Sequence, residues 1–177
     1  ITDEQAVRLP GPVACAVLPH TPNALVVAGQ AHLNGKEVLL HLPMESVGGE
    51  VSGPGTLDSG MFKAEIGEML DYDLASVPHV TGINNHMGSQ LTADATAMQQ
   101  LMQRIHRHGG LFFVDSRTSP ASVAQDTARR AGIPAIGRDI FLDNDPTPAA
   151  IERQLRALIR IARRQGHALG IGHPHPA

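Results

Sequence analysis

The chain of 177 residues is long enough for one domain with its own hydrophobic core. Charged residues make up 18% of it and the formal net charge is −3, which excludes a strong electrostatic attraction to nucleic acids or anionic lipids. Its single cysteine, Cys15, excludes an internal disulfide and a cysteine-based zinc site, and no apolar run is long enough to cross a membrane.

Short apolar runs alternate with helical patterns along the chain. The apolar runs predict strands at residues 13–18, 37–42, 79–83, 111–114, 134–136 and 168–172. Helical spacing predicts helices after Pro22, at 61–75, at 93–108, after Pro120 and after Pro148. This alternation of strand and helix indicates an α/β fold with a parallel sheet.

The helical patterns also predict which side chains face the core. In the first two helices these are Leu25, Val26, Gly29 and Leu33, then Ile66, Met69 and Leu70. In 93–108 and in the last helix they are Met98, Leu101, Met102 and Ile105, then Ile151, Leu155, Leu158, Ile159 and Ala162. A Ser or Thr followed by Pro opens three of the helices, and a glycine closes them.

Residues 46–60, SVGGEVSGPGTLDSG, do not fit the alternation. The segment is rich in glycine and longer than a simple connection between elements. Loops of this length are typical of lids or mobile segments, so a lid-like loop is predicted here.

Polar side chains follow the predicted strands at their carboxyl ends, where parallel α/β folds collect reactive groups. The set is His20, His41, Glu45, Asn84, Asn85, His86, Asp115, Ser116, Arg117, Arg138, Asp139, Asp143, Asn144, His173 and His175. Each has a structural explanation when taken alone, such as a hydrogen-bonded histidine or an Asx-turn. Together on one rim, histidines and carboxylates are typical of a hydrolytic metal site of the zinc type.

Six motifs carry a resemblance to a known family: GKEVLLHLPME, GPGTL, GINNHMGSQLT, FFVDSRTS, RDIFLDN and GIGHPHP. On these motifs, in this order over residues 35–175, the chain closely resembles the divergent polysaccharide deacetylases. That family is related to the NodB-type carbohydrate esterases. The resemblance implies an irregular (β/α) barrel of about seven parallel strands and the removal of acetyl groups from N-acetylated sugars.

The resemblance also implies roles for three histidines. The related esterases bind a divalent metal, with zinc as the expected ion, through one Asp and two His. By position His41 corresponds to a metal ligand, and His86 either to the second histidine ligand or to an arginine motif. His173 corresponds to a late histidine that acts as general acid.

The family's first strand ends in Asp-Asp, and a further strand follows the late histidine. Neither is visible in this sequence, so we expect a single deacetylase-like domain, residues 1–177, that lacks the first and last strands.

The expected chemistry assigns further roles around this site. A bound metal lowers the pKa of water from about 15.7 toward ~7, and His173 or His175 protonates the leaving amine. Asp115 or Asp143 would orient a histidine. The expected substrate-binding residues, which include the oxyanion-stabilising turn, are Glu45, Asn84, Asn85, Ser89 and Arg138.

Two other function classes remain open from the residues. A non-catalytic carbohydrate-binding protein could keep the same scaffold and polar rim, and a metal-dependent phosphoesterase could use Arg117 and Arg138 as a phosphate clamp. Aromatic residues are 3% of the chain, with no Trp, and Phe112 and Phe113 lie in a predicted strand and are expected in the core. Because sugar rings usually lie on aromatic faces and such faces are scarce here, we expect a short or small acylated ligand, or a groove lined by polar residues. The resemblance further implies a bacterial protein that works outside the cytoplasm.

Overall fold

The computed structural model describes residues 3–174. In this range the helices are α1 (Asp3–Ala6), α2 (Ala24–Leu33), α3 (Lys63–Ser76), α4 (Ala95–His108), α5 (Ala124–Arg130) and α6 (Pro148–Gln165). The strands are β1 (Cys15–Val17), β2 (Val38–Met44), β3 (Val80–Met87), β4 (Phe112–Asp115), β5 (Ala135–Gly137), β6 (Ile140–Phe141) and β7 (Gly170–Ile171). A 3₁₀ turn, Leu91–Ala93, precedes α4.

Five of the strands form one parallel sheet in the order β1-β2-β3-β4-β5. The other two, β6 and β7, form a separate parallel pair. The predicted α/β class and parallel sheet are therefore confirmed. Neighbouring strands follow each other in sequence without a reversal, which is the strand order of a (β/α) barrel and not of a doubly wound sheet. The described residues do not themselves close a barrel.

The hydrophobic core lies between this sheet and helices α2 to α5. Alternate strand residues point to opposite faces, so one face of β2 and β3 packs against the helices. The largest fully buried side chains include Leu40, Leu42, Met44, Ile66, Leu70, Ile83, Met98, Leu101, Met102 and Phe113. We call the opposite face of the sheet, which the helices do not cover, the inner face.

Helix α4 shows how local sequence signals and burial agree. The carboxylate of Asp94 accepts hydrogen bonds from the backbone N–H groups of Thr96 and Ala97, which caps the first turn. The predicted core side chains of this helix are all buried, namely Met98, Leu101, Met102 and Ile105. Gly109, with φ of 70°, ends the helix. Both the helix and its buried face are confirmed.

Strand β3 extends four residues beyond the predicted end at residue 83. Residues 84–87 pair in register with residues 41–44 of β2. These backbone hydrogen bonds outweigh the turn preference of the two asparagines, since strand propensity depends strongly on context. The turn comes at Met87 and Gly88, which have φ values of 53° and 86°.

The predicted core face of α2 is wrong, and that of α6 is only partly buried, at Ile151, Leu158 and Ala162. Helix α2 buries Ala24, Ala28 and Ala31, while Leu25, Val26 and Leu33 are exposed. Small alanines let the helix approach the sheet closely, and this selects the opposite face. Helix α6 begins at Thr147-Pro148 as predicted. Among its described residues Ala150 is the fully buried one, while Leu155 and Ile159 are 42% and 49% exposed.

The loop 46–60 is attached to β2 at two points. Leu57 is fully buried and forms a parallel bridge with Met44, and the Ser52 hydroxyl donates a 2.7 Å hydrogen bond to the carbonyl of Met44. Val47 and Val51, between the end of β2 and Ser52, are exposed. The loop is thus held at its base while its tip faces solvent.

Among the described helices, none combines the length and apolar character that a membrane span requires.

Candidate functional site

Three side chains of β2 and β3 meet on the inner face of the sheet. His41 lies opposite Asn84 in the register, and His86 lies two residues beyond Asn84 on the same face. His41 Nδ1 is 2.9 Å from Asn84 Oδ1, and His41 Nε2 is 3.0 Å from His86 Nδ1. We call these three residues the inner cluster.

Asn84 determines which nitrogen of His41 carries the proton. Its amide oxygen can only accept, so His41 Nδ1–H donates to it and Nε2 keeps a lone pair. That lone pair points toward His86. Asn84 is itself held in place because its amide N–H donates to Ser116 Oγ at 3.3 Å.

Both imidazoles of the inner cluster are neutral at pH 7. Burial lowers the pKa of His41 to about 4, with further lowering from His86 and His173 against a smaller rise from Asn84. Burial also lowers the pKa of His86, and His173 adds to that shift. Neutral imidazole is the form that binds metal ions.

His173 faces the inner cluster from the end of β7. Its Nδ1–H donates to the Asp143 carboxylate at 3.0 Å, and its backbone N–H donates to the same oxygen at 2.5 Å. Asp143 is almost fully buried, while the His173 side chain is 53% exposed. The predicted partner His175 lies outside the described residues.

Asn85 does not lie on the inner face with the inner cluster. It points to the helix-covered face, is 1% exposed, and uses both ends of its amide, with Met87 and with the backbone N–H of Ser116. Alternation along β3 explains the difference, because Asn84 and Asn85 must face opposite sides of the sheet. The substrate-binding role predicted for Asn85 is therefore corrected to a structural one.

Glu45 and Ser89 hold the loop 46–60. The Glu45 carboxylate accepts hydrogen bonds from the backbone N–H and hydroxyl of Ser59, at 2.8 Å and 2.6 Å, and from the Gln90 amide. Ser89 Oγ accepts the backbone N–H of Val47. Both residues were predicted to bind substrate, and the structure gives their polar atoms partners within the protein.

Asp115 has different partners from those expected. Its carboxylate accepts hydrogen bonds from the Ser122 hydroxyl and from the backbone N–H groups of Arg117 and Gln125. Within the described residues it bonds to no histidine, so it shapes the loop after β4 and does not orient an imidazole. Asp143 is the acid that contacts a histidine of the site.

Arg138 lies at the edge of the inner face, directly after β5. Its Nε–H donates to the carbonyl of Ser116 at 2.7 Å, and its guanidinium lies 3.7 Å from the centre of the Phe141 ring. Phe141 in turn stacks toward His173, with ring centres 6.3 Å apart. Arg138 is therefore connected to both sides of the site.

His20 does not join this site. Its Nε2 is 2.8 Å from Asp73 Oδ1 on α3, and its ring stacks on Tyr72 with centres 3.9 Å apart. We call His20, Tyr72 and Asp73 the outer cluster, because they lie on the helix side of the sheet. Asp73 was not predicted, although a signal existed: it follows Ile66 and Leu70 at helical spacing, and an acid on a core face is rarely buried unless it is paired.

His41 and His86 could serve as two ligands of one metal ion. Two nitrogens bound to tetrahedral zinc at ~2.0–2.1 Å lie about 3.3 Å apart, close to the 3.0 Å separation in the inner cluster. Catalytic zinc sites usually have three protein ligands. The described residues contain no group of three or more His, Cys, Asp or Glu placed to hold an ion.

Comparisons with known proteins agree with this fold. The chain is 39% identical over 175 residues to the uncharacterized protein YibQ of Escherichia coli K12, and 36% identical over 174 residues to an uncharacterized protein of Haemophilus influenzae. These matches cover 99% and 98% of this chain, but only 54% and 62% of the two relatives. The chain thus spans little more than half of their length.

Two solved structures share the fold. The uncharacterized protein ATU2773 of Agrobacterium tumefaciens C58 superposes with a TM-score of 0.89 at 30% identity, covering 96% of this chain and 70% of that one. A lactam utilization protein of Thermus thermophilus superposes with a TM-score of 0.60 at 18% identity, over 97% and 78% of the two chains, and shows likeness of fold alone. The family model of the divergent polysaccharide deacetylases matches residues 1–177. The chain belongs to the divergent polysaccharide deacetylase family.

Proposed function

We propose that this protein removes an acetyl group from a small N-acetylated sugar, with a divalent cation held in part by His41 and His86. The observation that carries the proposal is the pair of neutral imidazoles with ring nitrogens 3.0 Å apart on the open inner face. Family membership supports the deacetylase chemistry.

The two imidazoles of the inner cluster fit a divalent cation. Two neutral imidazoles with matched spacing, one fixed in its tautomer by Asn84, are typical of half of a catalytic zinc site. A third protein ligand is not found among the described residues. When bound, such a cation lowers the pKa of water toward ~7 and polarises the acyl carbonyl.

The other roles in the proposed reaction belong to Asn84, Asp143 and His173. Asn84 keeps His41 Nε2 free of a proton, so that this nitrogen is available on the inner face. Asp143 orients His173 through Nδ1 and stabilises the imidazolium form of the ring. The Nε2–H of that imidazolium would donate a proton to the leaving amine of the sugar.

The surroundings of the site favour a short substrate. Phe113 is fully buried as predicted, but Phe112 is only partly buried and its ring lies over Gly82 on the inner face, where a Cβ would come within 2.6 Å of it. Tyr72 is on the helix side, in the outer cluster. Two partly buried rings, Phe112 and Phe141, lie beside the described part of the site, and so small an aromatic surface suits one sugar unit better than a long chain.

The direct test is a metal assay on the full-length protein. We expect about one equivalent of Zn²⁺, Co²⁺ or Mn²⁺ per chain by mass spectrometry of the metal content, and acetate release from N-acetylglucosamine or its short oligomers. His41→Ala and His86→Ala should each lose the metal and the activity. His167→Ala, an exposed histidine between α6 and β7, is the matched control and should keep both.

Metal content unchanged in both His41→Ala and His86→Ala would show that the inner cluster is not a metal site. Stoichiometric metal without acetate release from any acetylated sugar would contradict the deacetylase assignment alone. Tight calorimetric binding of long chitin-like oligomers would contradict the preference for a short substrate.

A non-catalytic sugar-binding protein on the same scaffold is the second candidate. The observation in its favour is that the described residues supply two metal-type ligands and not three. Sugar binding that is the same with and without chelator, and in His41→Ala, would favour it. Following the resemblance we also propose a location outside the cytoplasm, which fractionation of the full-length protein would test.

A further inference from the structure

Two arginines meet beside the inner cluster without an acidic partner. Arg138 Nη2–H donates to the carbonyl of Arg117 at 2.9 Å, and Arg117 Nη2–H donates to the Gln125 amide oxygen at 2.7 Å. In the part of the chain that the structure describes, neither guanidinium forms a salt bridge. Two like charges are therefore held together by neutral acceptors.

A cavity of about 520 Å³ opens between these two arginines. Its lining residues are Arg117, Ser119, Pro120, Ser122 and Arg138. Two cations and two hydroxyl groups face this space, and its lining includes no carboxylate. Such a lining is complementary to an anion with several oxygen atoms.

The nearest acids are already occupied. The Asp115 carboxylate accepts from Ser122 and from two backbone N–H groups, and the Asp139 carboxylate accepts from the backbone N–H of Leu169 at 2.8 Å. Their charges oppose the lowering of the Arg138 pKa that burial and Arg117 cause. The two carboxylates reduce the positive potential around the cavity, but neither of them lines the cavity.

The position of Arg117 depends on unusual backbone geometry. Arg117 has a φ of 46°, in the left-handed region that is strained for a residue other than glycine. Its guanidinium lies so close to Gly137 that a Cβ there would come within 2.4 Å of Nε. The left-handed backbone at Arg117 and the absence of a side chain at Gly137 together allow the two guanidinium groups to lie close to each other. Packing alone does not favour such a pair of like charges.

Two chains of contacts join the cavity to the proposed reaction site. On one side Arg138 bonds to the carbonyl of Ser116, whose hydroxyl accepts from Asn84 of the inner cluster. On the other side Arg138 lies on Phe141, whose ring faces His173. These contacts place the cavity beside the residues of the proposed reaction site.

We propose that Arg117 and Arg138 form an oxyanion-binding subsite that selects acylated sugars carrying a carboxylate or a phosphate. This inference rests on the proposed function and names its substrate class. Arginine presents a planar set of N–H donors that matches the paired oxygens of either group. Recognition by charge also agrees with the small number of aromatic side chains in the chain.

Calorimetric titration of the full-length protein with three related sugars tests the proposal. N-acetylmuramic acid carries a carboxylate, N-acetylglucosamine 6-phosphate carries a phosphate, and N-acetylglucosamine carries neither. We expect at least one acidic sugar to bind tenfold or more tightly than the neutral sugar at low salt, and the preference to fall as salt is added. The preferred acidic sugar identifies which oxyanion the subsite takes.

Variants of the two arginines separate charge from folding. Arg138→Gln and Arg117→Gln should each remove most of the preference, measured as the ratio of the affinities for the acidic and the neutral sugar, while Arg138→Lys should restore part of it. Gly137→Ala keeps every charge but displaces the Arg117 side chain, and should weaken the preference too. Arg130→Gln, an exposed arginine at the end of α5, is the matched control and should have no effect.

Equal affinity for acidic and neutral sugars, or no binding of any of the three, would overturn the proposal. So would a preference that survives both glutamine variants. Loss of deacetylase activity in all assays, with the charge preference intact, would instead contradict the reaction and leave the subsite standing. The two ideas therefore fail in different experiments.

Discussion

The outer and inner clusters each place a histidine ring nitrogen against a polar oxygen at nearly the same distance. His20 Nε2 is 2.8 Å from Asp73 in the outer cluster, and His41 Nδ1 is 2.9 Å from Asn84 in the inner one. The outer partner is a fully buried carboxylate, and the inner partner is a neutral amide. This single difference in the acceptor changes what the imidazole can do.

A carboxylate can pair with a protonated ring and hold it, and in the outer cluster Tyr72 stacks on the ring as well. The result connects β1 to α3 and leaves the His20 side chain 15% exposed. An amide fixes the tautomer without adding charge, so His41 stays neutral and presents Nε2 on the inner face. Histidine next to a polar partner is therefore structural in one place and suited to binding in the other.

The largest expected effect is on stability, in the outer cluster. Gly55 packs against Asp73, and a Cβ at Gly55 would lie 2.0 Å from Oδ1. Gly55→Ala should lower the free energy of unfolding by about 3 kcal/mol, from overpacking and from the φ of 79°. Urea denaturation measures it. Gly49→Ala shares the left-handed φ but has open space, and should cost only about 1 kcal/mol. Equal losses in the two variants would show that contact with Asp73 is unimportant.

Asn84→Ala should affect the inner cluster through metal binding. Without the Asn84 oxygen His41 loses its preferred tautomer, and the affinity for a divalent cation should fall by about 10- to 100-fold. The pKa of His41, followed by NMR, should fall further, because the hydrogen bond that His41 donates to Asn84 raises it. The exposed Asn144→Ala is the control for both measurements. An unchanged affinity together with an unchanged pKa would rule out the orienting role.

The outer cluster should also make stability depend on pH. Burial raises the pKa of Asp73 to about 6, against an opposing effect of His20, so the folded protein binds this proton more tightly than the unfolded chain. The stabilisation is complete below the unfolded pKa of about 4 and is lost as the pH rises through 6.

Comparison of unfolding free energies at pH 4.5 and pH 7.5 checks this dependence. Asp73→Asn should remove a difference of about 2 kcal/mol that the wild type shows. Asp126→Asn, in the exposed first turn of α5, should keep it. A wild-type free energy of unfolding that rises from pH 4.5 to pH 7.5 would contradict this prediction.

The smallest expected effect concerns the ring that stacks on His20. Tyr72→Leu removes the aromatic contact but keeps an apolar side chain, and should cost about 0.5 kcal/mol of stability with no change in metal affinity. Phe62→Leu, at an exposed ring outside the outer cluster, serves as its control. A change in metal affinity in Tyr72→Leu would mean that the two clusters are coupled.

Much of the fold followed from local signals. Helix α4 carries a regular apolar stripe and a closing glycine, and the structure reproduces both. Helix α6 has an equally regular stripe, yet Leu155 and Ile159 remain partly exposed. A periodic pattern predicts that a helix forms, but the surface against which the helix packs depends on distant parts of the chain.

The site was predictable to a similar degree. The sequence indicated the residue types and brought His41, His86 and His173 to one region. It could not show that Asn84 faces the inner side of the sheet and Asn85 the helix side, because this depends on whether both asparagines belong to β3. Pairing with β2 determines where β3 ends. Nor could it show that Glu45 and Ser89 hold a loop, since their partners Ser59 and Val47 are brought near by tertiary contacts.

By itself, the sequence determined the α/β class, the parallel sheet, the family and the candidate histidines, because periodicity, capping and motifs are local properties of the chain. Only the tertiary structure decided that His20 pairs with Asp73 while His41 meets Asn84 and His86, and that Arg117 and Arg138 share a cavity. The physical reason is that the charge, burial and free lone pair of a side chain depend on neighbours that are far away in sequence.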